Sequence, residues 1–528
     1  MLIVQRYKLW YPILATANAC FGFLFYSYNI TIFGALLPFI KNYLFPEQTE
    51  FVNTLIASCP ILSAIIGALI AGYFCLRIGR RKTMILFDFI AIGGVVVSLF
   101  DVLACLFVGR LLLGFTIGVT SVAAPLYFSE ISPVVYRGEF TNGPPIFGAF
   151  GILLATLLGL LVPAELAPGE TDGTWRVLLA LAMIPLILRI FNFLVFFRCE
   201  TPFYYVNKAK YAKAAKGLRK TMNADADVAE RIVELMKERD YVKTEGAVRF
   251  LEVFKKRFRF ATFVCAVMLS LQYLSGLNII LVFSGQVYSS GLTNDRNLPY
   301  ILSVCTVFVN FLGAIVSMWT CSQFGRKPLL VGGVIGCGVL FLIYGILAKA
   351  VSEDSLVAKI WLVFWPFPWN LSVGSVMYII VAETLPDVGV SVASFWNWVF
   401  AFLTLQFFPK TEEAIGYGWT FIMYGIITVV GALFLWLTVV ETKDKNKDDI
   451  LMLYSGKTVP ARPESLRKQQ SYIAAQAQTG PAIDLDALKD EKYKEIVNKD
   501  LEKAGSQRQP STPETNQSPP NHEVICQA

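Results

Sequence analysis

Neutral amides recur inside the apolar runs of this chain, each close to an aromatic or small residue. One run reads Gln272-Tyr-Leu-Ser275-Gly276-Leu-Asn278; others carry Asn310, Trp369-Asn370 with Tyr378, and Asn397-Trp398. An amide both donates and accepts hydrogen bonds, and a flat aromatic ring covers an apolar face. Together they suit a neutral, hydroxyl-rich ligand and require no charged group. A buried amide is costly unless satisfied. Taken singly, Asn310 or Asn397 serves equally well as a hydrogen bond between helices. The Gln-x-x-Ser-Gly-x-Asn set is the more specific pattern.

The charges follow a different logic. The stretch GRLLLGFTIGVTSVAAPLYFSEISPVVYRG, residues 109–138, opens with Arg110 and carries Glu130 near its end, with Pro125, Pro133 and Arg137 between and after. Gly109, Gly114 and Gly118 are spaced to let two helices approach closely in a membrane. A charge inside such a run is expensive and normally pairs or acts. The only histidine is His522 in the tail, so no histidine proton relay or histidine-ligated metal lies in the apolar runs. Nine of the ten cysteines lie in or beside those runs, with no loop pair to suggest a disulfide framework.

These residues need a membrane scaffold to position them. The chain has 528 residues, 55% hydrophobic and 16% charged, against about 25% charged in a typical soluble domain. Apolar runs long enough to span a bilayer recur twelve times, at about 12–40, 52–76, 83–100, 103–128, 139–163, 175–198, 260–290, 299–323, 328–350, 358–385, 391–411 and 415–440. Arg77, Arg80, Arg81 and Lys82, then Arg137, then Arg326 and Lys327 fill loops on one side; the opposite loops are mainly acidic. The positive-inside rule puts both termini in the cytoplasm. The net charge of +7 reads as topology, not nucleic-acid binding. Residues 199–259, with fifteen basic and nine acidic residues, form a cytoplasmic helical linker between an N-terminal bundle (1–198) and a C-terminal bundle (260–440). The tail, 441–528, is expected to be largely disordered, with an amphipathic helix over 484–504.

Three features occur twice. Arg77-Ile-Gly-Arg-Arg is echoed by Gln323-Phe-Gly-Arg-Lys, Tyr127-x-x-Glu130-x-x-Pro133 by Tyr378-x-x-x-x-Glu383-x-x-Pro386, and Cys199-Glu200-Thr-Pro by Val440-Glu441-Thr-Lys. The offsets, 246 from Gly79 to Gly325, 253 from Glu130 to Glu383 and 241 from Glu200 to Glu441, agree within a dozen residues. A six-helix unit is duplicated in one orientation, which places a site near the midplane between the halves.

The ordered set Gly-Arg, Gly, Gly, Pro-x-Tyr-x-x-Glu-Ile-x-Pro and Arg-Gly closely resembles the fourth helix and following loop of the sugar porters. That family belongs to the major facilitator superfamily and includes the facilitative glucose transporters. The resemblance covers about residues 20–443. It implies an all-α membrane protein of twelve helices in two six-helix pseudo-repeats. By it Gln272, Asn278, Asn310, Asn397 and Trp398 contact a sugar, with Trp369, Asn370 and Tyr378 on the tenth span. Glu130, Glu200 and Glu383 pair with Arg77, Arg81, Arg137 or Arg326 when the cytoplasmic side is shut. Asn29 stands where proton-using relatives carry Asp, opposite Arg110. The chain departs from the family pattern at Leu76, Ser322 and Gln323 around the arginine motifs, and at Pro145, Tyr273, Val282, Phe283, Met377 and Tyr378 around the site.

The expected function is facilitative transport of a monosaccharide, a hexose first, by alternating access in the plasma membrane. No nucleotide-binding Gly-x-x-x-x-Gly-Lys-Ser/Thr motif is present, no cofactor is implied, and no catalytic set faces a cavity. The rivals are a proton-coupled sugar or polyol symporter, and a non-transporting sugar sensor.

Overall fold

The structure is a computed structural model. It describes residues 8–132, 143–162, 173–222, 228–229, 231–236, 258–276, 288, 298–351, 356–443, 445 and 447–454. Among them, nine helices are long and apolar enough to cross a membrane. The shorter apolar helices Gly143–Gly159 and Arg259–Leu274, together with Arg80–Ser98, complete twelve. In the first half they are α1 (Trp10–Phe39), α2 (Glu50–Ile78), α3 (Arg80–Ser98), α4 (Leu103–Ile131), α5 (Gly143–Gly159) and α6 (Thr174–Val195). In the second they are α7 (Arg259–Leu274), α8 (Leu298–Gln323), α9 (Arg326–Ala350), α10 (Leu356–Thr384), α11 (Asp387–Ile415) and α12 (Tyr417–Thr438).

The glycines singled out in α4 make the first half compact. A side chain at Gly114 would run into the Pro60 backbone of α2, and one at Gly118 into Ala64. Gly109 sits as closely on Ser98 of α3. The outer surface exposes Leu161, Val177, Trp319 and Leu437 by more than 60% each, as a surface facing lipid rather than water does. The halves pack most closely where α2 meets α11 and α5 meets α8. Gln406 Nε2 of α11 donates to Ser58 Oγ of α2 at 2.7 Å, and Phe150 of α5 meets Phe311 of α8 with ring centres 5.9 Å apart.

Helix α10 is broken. Pro366 and Pro368 supply no backbone N–H, and the helix widens into a π-turn over Asn370–Gly374 before resuming at Ser375. Gly374 leaves room there for the Trp369 ring. Such a turn redirects side chains at functional sites, and here it turns Trp369 and Asn370 toward the space between the halves.

Helix α3 begins at Arg80, earlier than expected from hydropathy, because the basic residues Arg80, Arg81 and Lys82 form its first turn. Beyond α6, the linker helices Pro202–Asn207 and Tyr211–Leu218 pack with Ile232, Leu235 and Met236 into a small apolar core of their own. The Lys8 backbone N–H donates to Thr221 O at 2.9 Å, joining the start of α1 to this linker. We call this the linker end of the bundle. In the tail, Lys447–Tyr454 is helical and Tyr454 packs on Phe260 of α7. The stretch 484–504 lies outside the described residues.

Candidate functional site

A cavity of about 130 Å³ lies between the halves, near the middle of the helices that line it. Gln272, Asn310, Trp369, Asn370, Tyr378 and Trp398 all border it. Among the described residues, none that lines it is charged. Asn397 stands just behind, its amide beside the hydroxyls of Tyr273 and Tyr378. Asn278 lies outside the described residues.

The amides divide by how they are satisfied. Asn370 donates through Nδ2 to the Asn310 backbone oxygen at 2.9 Å and to Asn310 Oδ1, so these two residues lock α8 to the broken turn of α10. Gln272 Oε1, Asn397 Oδ1 and Trp369 Nε1 are different. They are 6%, 1% and 7% exposed residues whose named atoms are buried with no partner among the described residues. Leaving such atoms unmatched costs about 1–3 kcal/mol each. The arrangement can bind a neutral donor–acceptor ligand against aromatic walls.

Tyr26, Ser121 and Tyr273 also line the cavity; sequence patterning gave the first two no role and marked Tyr273 only as a departure from the family pattern. The usable signal was position: Tyr26 lies three residues before Asn29, and Tyr273 directly follows Gln272.

Asn29 and Arg110 are in contact. Arg110 Nη1 donates to Asn29 Oδ1 at 2.8 Å and Nη2 to Ala57 O at 3.3 Å, while the guanidinium lies 3.7 Å over the Phe33 ring. Among the described residues no carboxylate touches Arg110. Asp88 is held elsewhere: Arg189 of α6 grips it through both Nε, at 2.8 Å, and Nη2.

At the linker end the repeated acids each meet the start of a helix. Glu130 pairs with Arg80 at 2.6 Å. Glu200 accepts the Arg81 backbone N–H at 2.6 Å, with Arg81 Nε 3.9 Å away. In the second half Arg326 approaches Glu383 at 3.7 Å, and Glu441 accepts the backbone N–H groups of Arg326 and Lys327 at 2.9 and 3.1 Å. Basic residues oppose the positive N-terminal end of a helix, and an acid there offsets them. Gly79 and Gly325 let Glu200 and Glu441 in: a side chain at either would collide with the carboxylate. The pairing differs from expectation at one position. Arg80, which was not among the expected partners, pairs with Glu130 because it opens α3 and points at that acid, whereas the Arg77 guanidinium lies 4.8 Å over the Tyr73 ring. Arg137 lies outside the described residues.

Burial pushes the Glu200 carboxyl up to about 7, against the pull of the Arg81 N–H and of the Arg81 and Arg80 charges. Burial acts in the same direction on Glu441, but the N–H groups of Lys443, Arg326 and Lys327 and the Arg326 charge outweigh it and hold that carboxyl below its ordinary value.

The profile of the "Sugar (and other) transporter" family matches residues 15–454. The chain belongs to the sugar porter family. This sugar porter is 29% identical over 427 residues to a facilitated trehalose transporter of Apis mellifera ligustica, across 78% of this chain and 81% of that one. It is 27% identical over 503 residues to the facilitated glucose transporter member 3 of solute carrier family 2 from Canis lupus familiaris, across 90% and 96%. Its fold matches that of the E. coli proton:xylose symporter XylE bound to 6-bromo-6-deoxy-D-glucose, with a TM-score of 0.75 at 20% identity, covering 85% of this chain and all of that one. The major facilitator fold of this sugar porter is thus shared with both uniporter-like and proton-coupled relatives.

Proposed function

We propose that this sugar porter carries a monosaccharide, a hexose first, down its gradient by alternating access and without proton coupling. The observation that carries the reading is the uncharged cavity between the halves, with Gln272 Oε1, Trp369 Nε1 and Asn397 Oδ1 buried and unmatched around it. Neutral hydrogen-bonding atoms beside aromatic rings are the complement of a sugar's hydroxyls and ring faces. The named relatives include glucose, trehalose and xylose carriers. The absence of coupling rests on Asn29, an amide with no titratable proton in contact with Arg110.

The linker end belongs in the cytoplasm, since Arg77, Arg80, Arg81, Lys82, Arg326 and Lys327 gather there. The ion pairs at that end then act as the gate that closes the cytoplasmic side. Uptake of labelled hexoses, pentoses and polyols by the reconstituted chain tests the function. Saturable hexose uptake is the expected result; a folded protein that binds sugar yet moves none is a sensor instead.

A further inference from the structure

Tyr26 and Tyr273 meet across the cavity from opposite halves. Tyr26 belongs to α1 and Tyr273 to α7, and their hydroxyl oxygens lie 3.4 Å apart. Both rings pack against Trp398 of α11: Tyr26 edge to face, with ring centres 5.6 Å apart, and Tyr273 tilted at 6.3 Å. Trp398 is in turn tied to the first half, its Nε1 donating to Ser121 Oγ of α4 at 3.3 Å. The cluster therefore borders the site with two cross-half hydrogen bonds and three rings in edge-on or tilted contact.

Two properties of this cluster bear on what can enter. The first is reach. A separation of 3.4 Å is long for a hydroxyl pair, whose usual range is about 2.5–3.0 Å. One phenol proton serves that bond, the Asn397 amide takes up part of the Tyr273 oxygen's remaining capacity, and the second proton stays available. A sugar hydroxyl can displace the weak bridge and bond both oxygens, which draws the halves onto the ring it belongs to. The second is volume. The cavity of about 130 Å³ is below the roughly 300–1,000 Å³ of sites for drug-sized ligands. Tyr26 is half-buried beside Trp398, and its ring lines the cavity where a second sugar ring would have to extend.

We propose that Tyr26 and Tyr273 form a clamp that sets the size of the transported sugar, closing on a single ring and shutting out disaccharides. The proposal rests on the sugar-carrier reading above. It assigns the hydroxyls and the rings separable tasks. The hydroxyls tighten the site on a bound ring, and the two rings together, both packed on Trp398 at the cavity edge, exclude a second one.

The full chain is reconstituted in liposomes, and uptake of labelled glucose and labelled trehalose is compared among variants. Wild type is expected to take up glucose and to hold trehalose at background. Tyr26→Phe and Tyr273→Phe keep the rings and should still exclude trehalose, while the KM for glucose rises roughly twofold to tenfold, the effect of one lost hydrogen bond. Tyr26→Ala should admit trehalose at ten times the wild-type rate or more. Tyr273→Gln, which shortens the opposite jaw and keeps a polar group, should do the same and stands in if the alanine variant does not fold. The clamp is overturned if wild type carries trehalose as fast as glucose. It is also overturned if folded Tyr26→Ala or Tyr273→Gln protein carries glucose but leaves trehalose at background. Failure of the underlying reading looks different: wild type then takes up neither sugar, and the proposal falls with it.

Discussion

Arg110 Nη1 donates to Asn29 Oδ1 at 2.8 Å, a bond between α4 and α1, and among the described residues no carboxylate touches that cation. In a proton-coupled carrier an acid at that place takes and releases a proton, since burial and a nearby cation push its titration in opposite directions. An amide cannot. An imposed inward proton gradient should therefore fail to drive hexose above equilibrium in proteoliposomes, and hexose addition should not alkalinise the medium. Asn29→Asp restores the missing acid and should make uptake depend on pH where wild type does not. Uphill accumulation by wild type that collapses with a protonophore would sink the uniport reading.

Gln272→Ala removes a cavity-lining amide whose Oε1 has no partner among the described residues. The rest of the amide meets the Tyr378 hydroxyl, itself a cavity-lining group, so the loss should fall mainly on the site and leave folding and membrane delivery near normal. Hexose affinity should fall by about 0.5–1.5 kcal/mol, the net worth of a hydrogen bond. Asn370→Ala should behave differently, because Asn370 also locks α10 to Asn310; it should lower thermal stability as well as affinity. Equal affinity in wild type and Gln272→Ala, measured by binding, would remove Gln272 from the site.

The fold was legible because it is written in long-range signals: twelve apolar runs, an arginine motif that recurs after 246 residues, and acids repeating at matching places. The amides of the site were legible for the same reason, since an amide in an apolar run stands out. What escaped was partner choice. Arg77, Arg80 and Arg81 are equivalent as loop charges. Only the start of α3 at Arg80 decides that Arg80 meets Glu130 while Arg77 rests on Tyr73. Tyr26 escaped because an aromatic in an apolar helix looks like packing until its hydroxyl is seen facing Tyr273. The Asp88–Arg189 pair escaped because its members lie 101 residues apart on helices with no shared motif.

Glu200 and Glu441 cap equivalent helices yet should respond to pH in different windows. Glu200 is raised from its ordinary 4.5 to about 7 by burial. A carboxyl raised in the folded state favours the protonated form there. Its contribution is therefore fully present below about 4.5 and is lost as pH climbs through about 7. Glu441 is lowered, so its contribution is complete above its ordinary value and is lost only below it. Between pH 5 and 7.5 the melting temperature of wild type should fall as pH rises, and Glu200→Gln should flatten that slope. Glu441→Gln should lower the whole curve and keep the slope. Identical slopes for wild type and Glu200→Gln would show that Glu200 does not titrate in this range.

Asp88 and Arg189 should act as a brace behind the cavity wall. Both are buried, and Arg189 reaches past its partner to donate through Nη1 to the Ala19 backbone oxygen of α1 at 3.2 Å. Gly22, one turn further along α1, borders the cavity, and its missing side chain makes room for the guanidinium. Asn18 adds a bond to the Arg189 backbone oxygen at 3.3 Å and accepts one from Asn192 at 3.0 Å. Helices α1, α3 and α6 are thus joined at one point. Removing one charge leaves the other buried and unmatched, which typically costs about 3–5 kcal/mol, whereas removing both is far milder. Asp88→Asn and Arg189→Gln should each lower the melting temperature strongly, and the double variant should recover most of the loss. Gly22→Ala, which drives a methyl group into the guanidinium, should mimic the single variants. If Asp88 instead carried a transported proton, Asp88→Asn would keep its stability and sugar exchange but lose proton-driven uptake. Thermal melts and exchange assays on the same four proteins therefore separate a brace from a coupling site.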